Sequence, residues 1–368
     1  MNKKIIKVGI THGDINGIGY EVILKTFADE RMTELCVPII YGSHKIALHN
    51  LKFMELPPIN FKIISKAEDA VEGKVNLINC VDDNIKVEFA QATSEAGLSA
   101  FKSLEAGVAD LKRGAIQTLV TAPINKACIQ SEAFKYQGHT EYFEKEFGEN
   151  GIHKSLMIMT KDTLRIALAT AHIPLSEVKG KLSKELVNQK LTLFNTSLIR
   201  DFGIIKPRIA VLALNPHAGD KGLLGDEEEK ILLPAIEEAE KQGIIVFGPY
   251  PADGFFGTNA MKHFDGILAM YHDQGLIPFK IFAMEDGVNF TAGLPVVRTS
   301  PAHGTAYDIA GQNIASEASF RNALYLSLDI VRQRRNYQEI TANPLQKQYV
   351  FKSGDNVKLD LTSEDIND

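Results

Sequence analysis

Tryptophan is absent from the 368 residues, and cysteine occurs only three times. Cys36, Cys80 and Cys128 are odd in number, far apart and without C-x-x-C spacing, so neither a disulfide framework nor a cysteine metal cluster is indicated, and a reducing cytoplasmic setting is expected. Long apolar runs are also missing: nothing approaches the roughly 20 residues of a membrane span. The opening stretch is basic at first, but Lys7 interrupts its apolar run and His12 and Asp14 end it, which is the wrong pattern for a secretion signal. Positive charge is in deficit too, with 40 Lys and Arg against 46 Asp and Glu for a net charge of -6, so nucleic-acid binding is disfavoured. The cluster Arg332, Arg334 and Arg335 reads as the solvated face of a helix. An anionic ligand would need a local pocket of cations.

What is present is ordinary globular composition, 45% hydrophobic and 23% charged, in a chain long enough for two cores. Strand and helix patterns alternate from the start. Residues 5–11 read as a strand, 13–19 as a glycine-rich turn and 21–27 as the helix it opens. A strand is expected over 36–41, with Ser43 capping a helix through residue 54. Short β-branched strands follow at 61–65 and 75–79. Ser94 opens a long helix with Leu98, Phe101, Leu104, Val108 and Leu111 on one face, before a buried strand at 118–121. The turn Ala122-Pro-Ile-Asn-Lys126 is a plausible crossing into a second domain. Beyond it, helices are expected at 183–200, with a partly apolar stripe of Leu186, Lys190 and Leu193, and at 226–242, where Ile231, Ala235, Ile236 and Ala239 form a cleaner one. Residues 287–299 read as strand, turn and strand, and 316–332 as a closing helix. The tail 354–368, with five acids against one lysine, reads as solvated and loosely held.

Three strand-like runs in the second half each end in a histidine. Thr163-Leu-Arg-Ile-Ala-Leu-Ala-Thr-Ala leads to His172, Arg208-Ile-Ala-Val-Leu-Ala-Leu-Asn-Pro to His217, and Gly266-Ile-Leu-Ala-Met-Tyr to His272. The intervals of 45 and 55 residues (172 to 217, 217 to 272) leave room for the helical crossovers that parallel strands require. In open α/β sheets chemistry gathers beyond the strands' carboxyl ends. Three imidazoles meeting there would make an open site for a divalent ion such as Zn²⁺, Co²⁺ or Mn²⁺. Each alone reads more readily as a hydrogen-bonded loop residue, and only the repetition argues for a metal.

Other clusters suit anions. Gly13-Asp-Ile-Asn-Gly-Ile-Gly-Tyr-Glu21 lacks both the G-x-G-x-x-G and the P-loop spacing, yet still forms a strand-to-helix turn with free N–H groups. Thr140 and Glu141, after Gly138-His139, suit the first turn of a helix. Lys280, Asn289 and Arg298 lie nine residues apart and offer a point charge, an amide and a planar fork to phosphate or carboxylate oxygens. The loop Pro301-Ala-His-Gly-Thr-Ala-Tyr-Asp-Ile-Ala-Gly311 is dense in small residues, as close ligand approach to the backbone requires.

Taken together these pieces resemble the 4-hydroxythreonine-4-phosphate dehydrogenase family of pyridoxal phosphate biosynthesis. The matching segments include Gly13-Asp14 through Glu21, Thr121-Ala-Pro through Lys126, Gly138-His-Thr140, Ala171-His-Ile-Pro-Leu175, Leu214-Asn-Pro-His-Ala-Gly-Asp220, Tyr271-His-Asp-Gln-Gly-Leu276 and Arg298-Thr-Ser300. The resemblance implies two α/β/α domains with a cleft between them, as in isocitrate and isopropylmalate dehydrogenases, divided as 1–125 plus 290–368 and 126–289. It places metal ligands at His172, His217 and His272 and substrate contacts at His139, Thr140, Lys280, Asn289 and Arg298. By likeness to the nucleotide loop of isocitrate and isopropylmalate dehydrogenases, His303, Gly304, Thr305 and Asp308 would contact NAD or NADP, along with Gly13 and Asp14.

The activity implied is NAD-dependent oxidation of 4-phosphohydroxy-L-threonine to a β-keto acid that decarboxylates to 3-amino-2-oxopropyl phosphate, assisted by Zn, Mg, Mn or Co. The assembly implied is a homodimer in which a partner subunit contributes a metal ligand, with no nucleic acid or membrane involved. Asp253, Asp273, Lys126 and Lys280 all qualify by type as the general base. The early motif departs from the family at Ile15-Asn16 and Tyr20, where prolines are frequent, and farther on Gly254 follows Asp253 where threonine is common. Two alternatives stand beside this reading. One is a sister dehydrogenase acting on 4-phospho-D-threonate or 4-phospho-D-erythronate; the other is a metal-dependent hydrolase or aldolase, which would leave the 301–311 loop without a nucleotide.

Overall fold

The computed structural model describes residues 5–132 and 134–345, so the acidic tail expected at 354–368 lies outside the described residues. The first half contributes strands β1 (Lys7–Thr11), β2 (Val37–Gly42), β3 (Phe61–Ile63), β4 (Val75–Asn79) and β5 (Thr118–Thr121). The second half contributes β6 (Leu156–Lys161), β7 (Leu164–Leu168), β8 (Arg208–Leu212), β9 (Ile245–Tyr250), β10 (Gly266–Ala269), β11 (Val288–Ala292) and β12 (Arg298–Pro301). All belong to one twelve-stranded sheet in the order β3-β4-β2-β1-β5-β12-β11-β6-β7-β10-β8-β9. Helices on its faces complete the expected α/β class.

Direction changes across the sheet in a way that locates the site. From β3 to β12 every neighbour is parallel, and from β7 to β9 every neighbour is again parallel. Between the two blocks, β12, β11, β6 and β7 are antiparallel. Strands β1, β2, β5 and β10 are buried along almost their whole length, which explains why they read as continuous apolar runs. Strand β6 is not legible in the sequence because Leu156-Met-Ile-Met-Thr-Lys has few of the β-branched residues that mark strands.

Helix starts follow the expected signals to within a few residues, and the larger differences lie in the buried faces and in the last helix's end. Ser43 caps His44–Phe53 by accepting the Ile46 N–H, as its position predicts. The long helix Ser94–Lys112 opens at Ser94 as expected, with Thr93 before it accepting the Ala96 N–H, but Leu98 on it is half exposed while Gly97 packs against the Cys128 backbone. In Lys184–Arg200 the buried stripe is Val187, Leu191, Phe194 and Leu198, not Leu186, Lys190 and Leu193, which are only partly covered. The closing helix Ala318–Thr341 runs nine residues past its expected end and packs on β5, β11 and β12.

Candidate active site

Alternation along the antiparallel middle of the sheet sends one set of side chains to the same face. Asn289 on β11 lies opposite Ser300 on β12 and Met159 on β6. Arg298, Ser300, Asn289, Met157 and Met159 thus line the floor of a cavity of about 200 Å³. Two helix starts close over it. Gly138 to Thr140 bring the positive end of His139–Phe147, and His272 is the first residue of His272–Ala283. Lys126 and the 301–304 stretch supply further wall.

Arg298 is the centre of this cavity's electrostatics. It is 2% exposed, yet no carboxylate forms an ion pair with it among the described residues. Its Nε and Nη2 both donate to Thr121 Oγ1 (3.0 and 2.6 Å), and Nη1 donates to Thr291 Oγ1 at 3.1 Å. The two hydroxyls hold the fork in place without neutralising it. Burial pulls its pKa down to about 9, partly offset by nearby Glu141, so it remains a cation at neutral pH. An unpaired buried charge is costly unless a counter-ion arrives, so the pocket is built for an anion.

Neighbouring polar atoms are likewise unpaired. His139 Nε2, Asn289 Oδ1 and His303 Nε2 are buried without a hydrogen-bond partner. Burial, with the charges of Arg298 and Lys126, pushes the His139 pKa well below its ordinary value, and burial lowers that of His303. Both rings are neutral at pH 7 and can each give or accept one hydrogen bond to a ligand.

His172 and His272 also line the cavity, with ring centroids 5.8 Å apart. Each uses Nδ1 on a carboxylate: His172 donates to Glu141 Oε1 at 3.1 Å, and His272 to Asp273 Oδ1 at 2.6 Å. Although burial opposes ionisation of Glu141, the bond from His172 and the charge of Lys126 hold its carboxyl below the usual range, so it serves as an acceptor beside the ring. With Nδ1 of each ring turned to a carboxylate, Nε2 is the nitrogen left to face a ligand. The two histidines therefore fit a divalent ion.

His217 is not with them. It is exposed in the turn Pro216–Gly219 after β8, where His217, Ala218, Asp220 and Lys221 all take positive φ. Glu228 fastens this turn by accepting the Leu214 and Asn215 N–H groups, each at 2.8 Å. No group of three or more histidine, cysteine or acidic side chains among the described residues is placed to hold a metal ion. The strands β7, β10 and β8 are adjacent as expected, but the turn after β8 leads its imidazole away from the other two.

The remaining candidates separate clearly. Of the four possible bases only Lys126 lines the cavity; Asp273 is engaged with His272, while Asp253 and Lys280 are exposed on their helices. Thr140 lines the cavity, and so does Gly304. Thr305 contributes its carbonyl to Ile18 N–H, and Asp308 is exposed. Gly13 and Asp14 act within the chain: Gly13 has φ +68 with no room for a Cβ beside Pro123, and Asp14 accepts from Asn16 N–H and the Tyr307 hydroxyl. Sequence reasoning missed Thr121 and Thr291 as anchors of Arg298 and Glu141 as partner of His172. Only the strand register and the helix placement bring them together.

The model of the family described as pyridoxal phosphate biosynthetic protein PdxA matches residues 34–327. The chain belongs to this family. It is 56% identical to 4-hydroxythreonine-4-phosphate dehydrogenase of Bacteroides thetaiotaomicron, over 99% of this chain and all of that protein. It is also 37% identical to D-threonate 4-phosphate dehydrogenase of Cupriavidus necator, over 89% of this chain and 98% of the relative. The crystal structure of 4-hydroxythreonine-4-phosphate dehydrogenase from Klebsiella pneumoniae superimposes with a TM-score of 0.78 at 32% identity, covering 90% of this chain and 99% of that one. Membership of the PdxA family makes the chain an oxidoreductase acting on a CH–OH group with a nicotinamide cofactor.

Proposed function

We propose that this PdxA-family chain oxidises 4-phosphohydroxy-L-threonine with NAD, or NADP in its place, giving a β-keto acid that loses carbon dioxide to form 3-amino-2-oxopropyl phosphate. The observation that carries the proposal is the buried, unpaired Arg298 with His139 and Asn289 around it, beside two histidines whose Nε2 atoms are free. Arg298, His139, Thr140 and Asn289 hold the phosphate or carboxylate of the substrate and fix its pose. Lys126, the one base candidate on the cavity wall, takes the hydroxyl proton in its uncharged amine form, and when protonated it is a second cation for the substrate's oxygens. When bound, a divalent ion (Zn, Mg, Mn or Co) supplies Lewis acidity toward the alcohol oxygen, and the nicotinamide supplies a hydride acceptor. Glu141 and Asp273 orient the two histidines toward that ion.

Within the proposal the molecule works as a homodimer, with His217 delivered to the site of a second copy. Exposed Ile277, Ile281, Phe282 and Met284 at the helix bearing His272 and Lys280, together with exposed Leu175 nearby in sequence to His172, support a covered face there. The two-domain division, 1–125 plus 290–368 and 126–289, belongs to the same reading, with the antiparallel β12-β11-β6 middle as the seam.

The name of the Cupriavidus relative favours one second reading, a 4-phospho-D-threonate dehydrogenase. Purified protein with NAD and either 4-phosphohydroxy-L-threonine or 4-phospho-D-threonate, with and without Mn²⁺, Mg²⁺ or Zn²⁺, tests both by the absorbance of reduced cofactor. Metal-dependent turnover of the amino substrate alone is expected. Turnover of the threonate alone transfers the chain to the second reading, and activity undiminished by chelator overturns the metal's role.

A further inference from the structure

Three segments distant in the chain meet at one phenol. The Tyr307 hydroxyl donates to Asp14 Oδ2 at 2.7 Å and accepts from Asn125 Nδ2 at 3.2 Å. Neither partner is free to swing. Asp14 is fully buried and its other oxygen accepts the Asn16 N–H at 2.9 Å, while Asn125 Oδ1 accepts the Ala127 and Cys128 N–H groups. Beside this junction the Ile18 N–H donates to the Thr305 carbonyl at 3.1 Å. A Cβ on Gly17 would come within 2.7 Å of that same oxygen, so the glycine turn and the 303–311 loop seat on each other only because position 17 has no side chain. Past the loop, Ala315 N–H donates to Glu21 Oε1 at 2.8 Å and Asn313 Nδ2 to the Met54 carbonyl at 2.9 Å.

The loop is therefore fastened at both ends and at its middle, and the middle fastening is a single hydroxyl. Its start faces the cavity through His303 and Gly304, where His303 Nε2 is buried and unpaired and Gly304 borders open space. Asn125, the hydroxyl's second partner, directly precedes Lys126 on the cavity wall. One phenol thus ties the loop to the turn that carries the proposed base.

We propose that Tyr307 is a positioning residue for the nicotinamide dinucleotide, holding the 303–311 loop on Asp14 and Asn125 in its binding conformation before the cofactor arrives. The inference rests on the reading of that loop as the dinucleotide site. Pre-ordering a small-residue loop removes part of the entropy loss that binding otherwise incurs. Burial and the Asp14 carboxylate raise the phenol's pKa, which keeps it a donor at every working pH.

Tyr307→Phe keeps the ring and deletes the hydroxyl. In calorimetric titrations of the full chain, its Kd for NAD should rise about tenfold, the loss expected for one hydrogen bond to a carboxylate. The KM for NAD should follow, while kcat and the KM for phosphorylated substrate at saturating NAD stay within about twofold. Amide exchange in 303–311 of the cofactor-free protein should speed up without a matching fall in melting temperature. A Phe variant that binds NAD as tightly as wild type overturns the inference. So does one that loses cofactor binding, substrate KM and thermal stability together, since that marks general structural damage. Wild-type protein that binds neither NAD nor NADP overturns the dehydrogenase reading and this inference with it, whereas wild-type binding with an unaffected variant overturns the inference alone.

Discussion

Arg298 keeps its charge where most side chains would lose it. Buried to 2% exposure and lowered to about 9, its pKa still lies above neutrality, and two threonine hydroxyls take several of its N–H groups without supplying a counter-charge. Lysine at this position would keep a positive charge but lose the planar fork that spans Thr121 and Thr291 and faces the cavity. Arg298→Lys should therefore raise the KM for the phosphorylated substrate by about tenfold or more while leaving the Kd for NAD nearly unchanged. Equal losses for both ligands would remove Arg298 from the substrate site.

His12 poses a different problem at the same scale. It is fully buried, stacked on Tyr20 at 5.1 Å, and burial lowers its pKa from 6.5 to about 4, against a bond to the Gly13 backbone. Between those two values the unfolded chain holds a proton that the folded chain lacks, so this residue makes stability fall as pH drops from 6.5 toward 4. The integrated effect is on the order of 3 kcal/mol. His12→Phe, which keeps a ring against Tyr20, should flatten urea-unfolding stability across that window relative to wild type. Parallel curves for the two proteins would show that the imidazole is not the group responsible.

At the scale of elements, the helix Lys184–Arg200 shows what periodicity can and cannot decide. Its existence and its start were legible: Ser183 accepts the Leu186 N–H at the cap, and apolar residues recur at helical spacing. Its buried face was not, because Leu186 and Leu193 are as apolar as Leu191 and Phe194, and only the position of β6, β10 and β11 beneath selects among them. Leu191→Ala should destabilise the protein by about 2–5 kcal/mol, and Leu186→Ala by under about 1 kcal/mol, as read from denaturant midpoints. Similar values for the two would place the helix on its other face. The same limit explains the site. Arg298 and the histidines stood out as residue types at suggestive spacings, but Thr121 lies 177 residues from Arg298 and becomes its anchor only through the β5-β12 register.

Over the whole molecule, the places of strands along the chain were legible where buried runs marked them, and their order in the sheet and its reversal of direction were not. Strand β6 carries no strong signal, yet it turns one parallel block against the other and creates the floor on which Arg298 and Asn289 stand. The repeated strand-then-histidine pattern correctly put β7, β10 and β8 side by side, but periodicity ends with the strand and says nothing of how the next turn folds. His172 and His272 converge; His217 faces solvent on a turn of left-handed residues fastened by Glu228. Four non-glycine residues at positive φ in that one turn are a strained arrangement that surrounding structure must enforce, and such strain gathers at functional sites.

If each site takes two imidazoles from one copy and His217 from another, defects in different copies must complement. A purified heterodimer of His172→Ala and His217→Ala chains would contain one site lacking both residues and one site that is whole, so it should show about half of wild-type turnover although each homodimer is inactive. A heterodimer of His172→Ala and His272→Ala chains has no whole site and should remain inactive. Activity absent from the first pairing would assign His217 to the same copy as its companions and require the turn after β8 to fold back toward them, whereas activity in the second would mean that His172 and His272 serve different sites.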